Sequence, residues 1–126
     1  MFELMITVDF EAAHRLPEYD GKCCRLHGHN WKVEVFVQGK DLDATGMLID
    51  FQVLKAAVGE VTVTLDHYYL NELPPFQNVN PTAENIAKYY YDKLTQQPMF
   101  ADNVRVSAVR VWESPRSAAK YRPDAN

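Results

Sequence analysis

Cysteine is scarce in this chain, and the two it has, Cys23 and Cys24, are adjacent. Sequence neighbours rarely bridge each other. A disulfide scaffold is therefore excluded, and free thiols in a reducing compartment are expected. Basic residues are also few: a net charge of −4 argues against general nucleic-acid binding, though it leaves room for a small anionic ligand held by local cations. No apolar run approaches the length that crosses a bilayer. The opening residues MFELMITVDF carry acids within their apolar stretch and no basic lead-in, so they do not read as a signal peptide. A cytoplasmic protein with no membrane partner is the expectation. Repeats, low-complexity tracts and linkers are lacking too. With 126 residues, 47% of them hydrophobic, the chain reads as one domain over 1–126 with a real core.

The patterning that remains is mixed. Along 2–10 the apolar residues alternate strictly (Phe2, Leu4, Ile6, Val8, Phe10), which predicts a strand over about 2–13. Pro17 to Lys22 reads as a loop with Asp20-Gly21 at its turn. A second alternating run predicts a strand from His27 to Gln38, followed by a polar connection over Gly39 to Gly46. Asp50 can cap a helix in which Phe51, Leu54, Ala57, Val58 and Val61 recur at helical spacing, with the β-branched run Val61 to Thr64 opposing it near the end. Leu65 to Asn80 reads as a loop. Thr82 is placed to cap a second helix running to about Gln97, where Pro98 stops it. Strands are predicted over about 104–113 and 118–122. The order ββααβ(β) comes in blocks. It predicts an α+β fold, an antiparallel sheet with two helices on one face, whose exposed edges favour a homo-oligomer.

Three of the four histidines lie on the first two strands. Continuing the apolar parity of the first strand through Ala12 reaches His14. Running the parity of Trp31, Val33 and Val35 backwards reaches His29 and His27. A period of two sets such residues on one face. Three imidazoles with no obvious fourth protein ligand form the composition of a catalytic zinc site with an open position; hydrogen-bonded core histidines or histidine–carboxylate pairs are the alternatives. Cys23 and the Asp66-His67 pair add to the concentration of thiols and imidazoles. Lys22 and Arg25 flank Cys23 and Arg15 follows His14, either as an anion-binding group or as solvated surface. Glu113 is in phase with Val109 and Val111, where an unpaired carboxylate is costly. It calls for a polar ligand or a cation, for which Arg116 is a candidate.

Read together, FEAAHRL (10–16), CCRLHGHNW (23–31), IDF (49–51), LDHYYLN (65–71), NPTAENIA (80–87) and Glu113 resemble the 6-pyruvoyl-tetrahydropterin synthase superfamily over nearly the whole chain. The three residues between Cys23 and His27-Gly28-His29 resemble its bacterial and archaeal branch, the 6-carboxy-5,6,7,8-tetrahydropterin synthases. Ser114 stands where the family often has threonine.

The resemblance implies a tunnelling fold, whose subunits join by sheet edges into barrels, here a hexamer built as a dimer of trimers with sites at subunit boundaries. It implies zinc on His14, His27 and His29. It also implies conversion of 7,8-dihydroneopterin triphosphate to 6-carboxy-tetrahydropterin, acetaldehyde and triphosphate, on the route to queuosine. Cys23 would be the general base as a thiolate, a form that needs nearby cations such as Lys22 and Arg25. Cys24 would be incidental. His67 would lie beside the cysteine, oriented by Asp66. Glu113 would anchor the pterin through two parallel hydrogen bonds. Thr82 would touch the pterin of a neighbouring subunit or simply cap its helix, and Phe51 would line the pocket or the core. Gly28 permits a close approach of the strand, or marks an irregularity in it. The same scaffold also admits a synthase that stops at the 6-pyruvoyl product, an aldolase- or epimerase-like activity on dihydroneopterin, or a zinc-stabilised pterin-binding module without catalysis.

Overall fold

Strands β1 (Phe2–His14) and β2 (His27–Gly39) pair antiparallel along their whole length, from Phe2 opposite Gly39 to His14 opposite His27. The computed structural model that shows this describes residues 1–100 and 102–124. β3 (Arg105–Ser114) pairs with β2, and β4 (Ser117–Tyr121) with β3, giving an antiparallel sheet in the order β1-β2-β3-β4. Helices α1 (Phe51–Thr62) and α2 (Ala83–Thr95) pack on one face of it, the α+β arrangement that the patterning predicts.

Alternation decides which face the helices cover. Ile6, Phe10, Ala12 and His14 of β1 are buried, as are Trp31, Val33, Val35 and Val37 of β2 and Val109 and Val111 of β3. Leu54, Ala57, Val58 and Val61 of α1 and Ile86, Ala87, Tyr90 and Leu94 of α2 meet them. Each fully buried aliphatic side chain of this kind contributes about 1.5–3 kcal/mol. Where the helices touch, Thr62 Oγ1 donates to Val58 O at 2.9 Å and meets the Tyr90 hydroxyl at 2.8 Å. Burial pushes that phenol well above its ordinary range. α1 ends at Thr62, inside the β-branched stretch Val61 to Thr64.

The helix starts follow local chemistry. Asp50 accepts from Gln52 N at 2.8 Å, and Thr82 from Asn85 N at 3.1 Å. α2 ends at Thr95, two residues short of the predicted Gln97, and Pro98 opens a 3₁₀ turn (Pro98–Phe100) that buries Phe100. The loop expected over 65–80 contains two more such turns, Leu70–Glu72 and Pro74–Phe76, because Leu70 and Phe76 are drawn into the core. β3 has an irregularity opposite Phe36 and Val37: Ala108 faces Phe36, Val106 faces Val37, and Ser107 is skipped. The bulge resets parity, so that Val109, Val111 and Glu113 stay in phase with the covered face.

The other sheet face carries no helix. There Glu34, 7% exposed, accepts from Arg110 Nε at 2.7 Å and Nη2 at 3.1 Å, and from Trp112 Nε1. The Arg110 guanidinium holds its carboxyl below the usual carboxylate range. At the His14 end, the outer edge of β1 is covered by residues 66–69. Glu11 N donates to Asp66 Oδ1 at 3.0 Å, His67 N to Glu11 O at 2.6 Å, and Ala13 N to Tyr68 O at 3.1 Å. Among the described residues no helix is long and apolar enough to cross a membrane.

Candidate active site

Full-length pairing of β1 and β2 makes His14 and His27 cross-strand partners and sets His29 opposite Ala12. All three imidazoles project to the covered side at the end of the sheet, with ring centroids 4.5, 5.0 and 4.8 Å apart. One potential ligand atom from each lies within 4.8 Å of the others. Trp31, fully buried, forms the floor: its ring stands edge-on at 5.1 Å from both His14 and His29, stacks on Phe10, and donates through Nε1 to Ala12 O at 3.2 Å.

Backbone carbonyls fix two of the rings. His14 Nδ1 lies 2.8 Å from Pro81 O, and His27 Nδ1 lies 2.8 Å from Arg25 O. A carbonyl only accepts, so each Nδ1 carries the hydrogen, and the neutral ring then offers the lone pair of its Nε2. Burial holds His14 below its ordinary pKa against the opposing Pro81 bond, and burial does the same to His29 against the attraction of Glu113. Neutral imidazole is the metal-binding form. The Nε2 atoms of His14 and His29 are buried without a hydrogen-bond partner. Glu113 Oε1 stands 3.4 Å from the first and 3.5 Å from the second. A lone-pair nitrogen facing a carboxylate oxygen is two acceptors in contact, and a cation satisfies both. Three convergent nitrogens with this chemistry fit zinc with an open position.

Glu113 thus lies against the histidines and not against Arg116, whose backbone N–H donates to Ser114 Oγ at 3.3 Å. Cys23 sits half-buried in a short 3₁₀ turn, Lys22–Cys24, with Lys22 and Arg25 exposed beside it. Leu16 N donates to Cys23 O at 2.8 Å and Arg15 Nε to Cys24 O at 3.1 Å, pinning the turn to the end of β1. Asp66 and His67 lie elsewhere, on the outer edge of β1. His67 has a positive φ of 63°. Its Nδ1 is 2.9 Å from Asp66 Oδ1 and its Nε2 3.3 Å from Glu11 Oε2. Accepting from Glu11 N–H keeps the Asp66 carboxyl below its usual range, helped by His67. No described hydrogen bond or ion pair joins Cys23 to His67. The two hang on different loops.

Thr82 spends its hydroxyl on capping α2. Phe51, 49% exposed, is neither core nor part of the histidine site. It lines an apolar notch with Phe2, Leu4 and Met47 near the opposite end of β1. A side chain at Gly28 would meet only Ala12 O at an ordinary 3.9 Å, so the chain itself demands no close approach there. Four contributions were not singled out from the sequence. Trp31 as floor was readable, since it shares the parity of His29. The carbonyls of Pro81 and Arg25 leave no sequence signal. Glu11 shows only as an acid within the FEAAHRL motif.

A family model described as 6-pyruvoyl tetrahydropterin synthase matches residues 3–124. A 6-carboxy-5,6,7,8-tetrahydropterin synthase of Synechocystis is 42% identical over 117 residues, covering 89% of this chain and 86% of the relative. One from Bacillus subtilis is 36% identical over 129 residues, covering 97% and 86%. The solved structure of Caenorhabditis elegans 6-pyruvoyl tetrahydropterin synthase superposes with a TM-score of 0.85 at 29% identity, covering 98% of this chain and 96% of that one. The sheet and its two helices are thus those of the tunnelling fold.

Proposed function

The chain belongs to the 6-pyruvoyl tetrahydropterin synthase family, and from that membership we propose that it converts 7,8-dihydroneopterin triphosphate to 6-carboxy-5,6,7,8-tetrahydropterin. Acetaldehyde and triphosphate are released, in queuosine and 7-deazapurine biosynthesis. The observation that carries the reading is the convergence of three imidazoles with two orphaned Nε2 atoms beside a carboxylate. The relatives named carboxy-tetrahydropterin synthase and the Cys23 spacing support this choice of reaction.

The chemistry requires a proton to leave a side-chain carbon that bears a hydroxyl, triphosphate to depart, and one carbon–carbon bond to break with the consumption of one water, whose oxygen enters the carboxylate. Zinc held by His14, His27 and His29 would supply a Lewis acid for the side-chain oxygens. Glu113 accepts from the pterin 2-amino group and N3–H; its place 3.4 Å from His14 sets the ring so that its side chain reaches the histidines. Trp31 beneath the imidazoles keeps water out from below. Cys23 removes the proton as a thiolate. Lys22 and Arg25, exposed beside it, bind the triphosphate. His67, oriented by Asp66, transfers the second proton. The separation of Cys23 from His67 within one chain supports a site completed by a second copy, in a hexamer built from trimers through the sheet edges. Thr82 contacts the pterin across such a boundary only if its cap is kept at the same time.

The test is mass spectrometry of products from zinc-loaded protein and 7,8-dihydroneopterin triphosphate. A carboxy-tetrahydropterin with acetaldehyde is expected. A 6-pyruvoyl product would instead support the second reading, which the likeness to the nematode structure favours. Unreacted substrate would overturn both.

A further inference from the structure

The His67 ring is held at both of its nitrogens by carboxylates, and the second of these, Glu11, has no part in the reading above. We propose that Glu11 is a positioning residue for His67, flanking Nε2 while Asp66 holds Nδ1, so that the ring is presented in one orientation. The proposal rests on the assignment of proton transfer to His67.

Several contacts make Glu11 the platform for this loop. Its N–H donates to Asp66 Oδ1 at 3.0 Å, its carbonyl accepts from His67 N at 2.6 Å, and its carboxylate lies 3.3 Å from His67 Nε2. Asp66 Oδ1 therefore serves both the Glu11 backbone and the His67 ring, at 2.9 Å. The backbone at His67 is left-handed, φ 63°, a conformation that a non-glycine residue adopts at a cost and that the surroundings must enforce. The bonds from Glu11 and Ala13 to residues 66–68 enforce it. The result aims the ring into a cavity of about 510 Å³ that is also lined by Ala12, Gly28, His29, Asn30 and Tyr68. The titratable side chains beside the ring are Glu11 from β1 and Asp66 and Tyr68 from its own loop.

Asp66 Oδ1 at 2.9 Å from Nδ1 and Glu11 Oε2 at 3.3 Å from Nε2 bracket the ring on both sides. They limit its rotation, and Glu11 thereby sets where the ring exchanges its proton. Both side chains are largely exposed, at 64% for Glu11 and 71% for His67. Their pairing therefore adds little to stability, and a substitution at Glu11 should read out in turnover and not in folding.

Glu11→Gln, Glu11→Asp and His67→Ala are compared in the zinc-loaded protein by kcat, KM, thermal unfolding and the ¹⁵N resonances of the His67 ring. His67→Ala should be inactive. Glu11→Gln should lower kcat by roughly 10²-fold with KM and unfolding unchanged, and its His67 ring resonances should move away from their wild-type positions. Glu11→Asp, which keeps the charge, should recover part of the loss. Wild-type kcat and ring resonances in Glu11→Gln beside an inactive His67→Ala would overturn the role of Glu11 and leave that of His67. An active His67→Ala would remove the assignment on which the proposal stands, and the proposal with it.

Discussion

The candidate site has two halves of different construction. His14, His27, His29 and Glu113 stand on paired strands, where register fixes their spacing: His14 faces His27 directly, and the β2–β3 ladder carries Glu113 to 3.4 Å from His14. Cys23 and the Asp66-His67 pair stand on two separate loops, tied to β1 by contacts from Leu16, Glu11 and Ala13. The first half is complete within one chain; the second is not joined within it. A sheet can preassemble a metal centre with no other partner. Proton-transfer groups carried on loops meet only when something further, a second copy in our reading, brings them together. The two halves should therefore fail in different ways.

The largest effect is expected in the strand half. His27→Ala removes one of three nitrogens from a site with no fourth protein ligand, so zinc content measured by elemental analysis should fall from one ion per chain to near none, and turnover with it. Full occupancy in that variant would refute the ligand set. Cys23→Ala tests the loop half: turnover should drop by about 10²–10⁴-fold, the usual worth of a positioned acid or base, while zinc content stays at the wild-type value. Loss of zinc in that variant would merge the two halves and end the comparison. Glu113→Gln sharpens it from the strand side. Losing a charge-assisted pair costs about 1.5–3 kcal/mol, so pterin affinity measured by calorimetry should weaken roughly 10-fold to 100-fold with the metal still bound. Unchanged affinity would move the anchor elsewhere.

The same division governs how much of the molecule was legible from its residues. Alternation through His14 and back from Trp31 to His27 needs only a period of two, and the sheet obeyed it. Glu113 was legible for the same reason, although β3 has a bulge at Ser107 that no pattern announced; the phase held because Val109, Val111 and Glu113 all lie beyond it. Asp50 and Thr82 were legible because a cap acts over two or three residues. What escaped is long-range. The carbonyl that fixes the His14 tautomer comes from Pro81, 67 residues away. The bond that shapes the His67 loop joins Glu11 to Asp66, 55 residues away. The turns at Leu70–Glu72 and Pro74–Phe76 follow from where the core needed Leu70 and Phe76, not from their own propensities.

Thr82 separates the halves most finely, because it stands where local and assembled roles overlap. Its hydroxyl accepts from Asn85 N at 3.1 Å, and the carbonyl just before it, from Pro81, holds His14. Thr82→Ala should cost about 1 kcal/mol in chemical denaturation through the lost cap. Thr82→Ser keeps an acceptor at the same place and should restore that stability. If the hydroxyl serves only the helix, both variants keep the wild-type KM once they are folded and zinc-loaded. A raised KM in Thr82→Ala, at wild-type zinc content and with Thr82→Ser normal, would instead extend the pterin pocket across a subunit boundary, and would give the loop half of the site the partner that a single chain lacks.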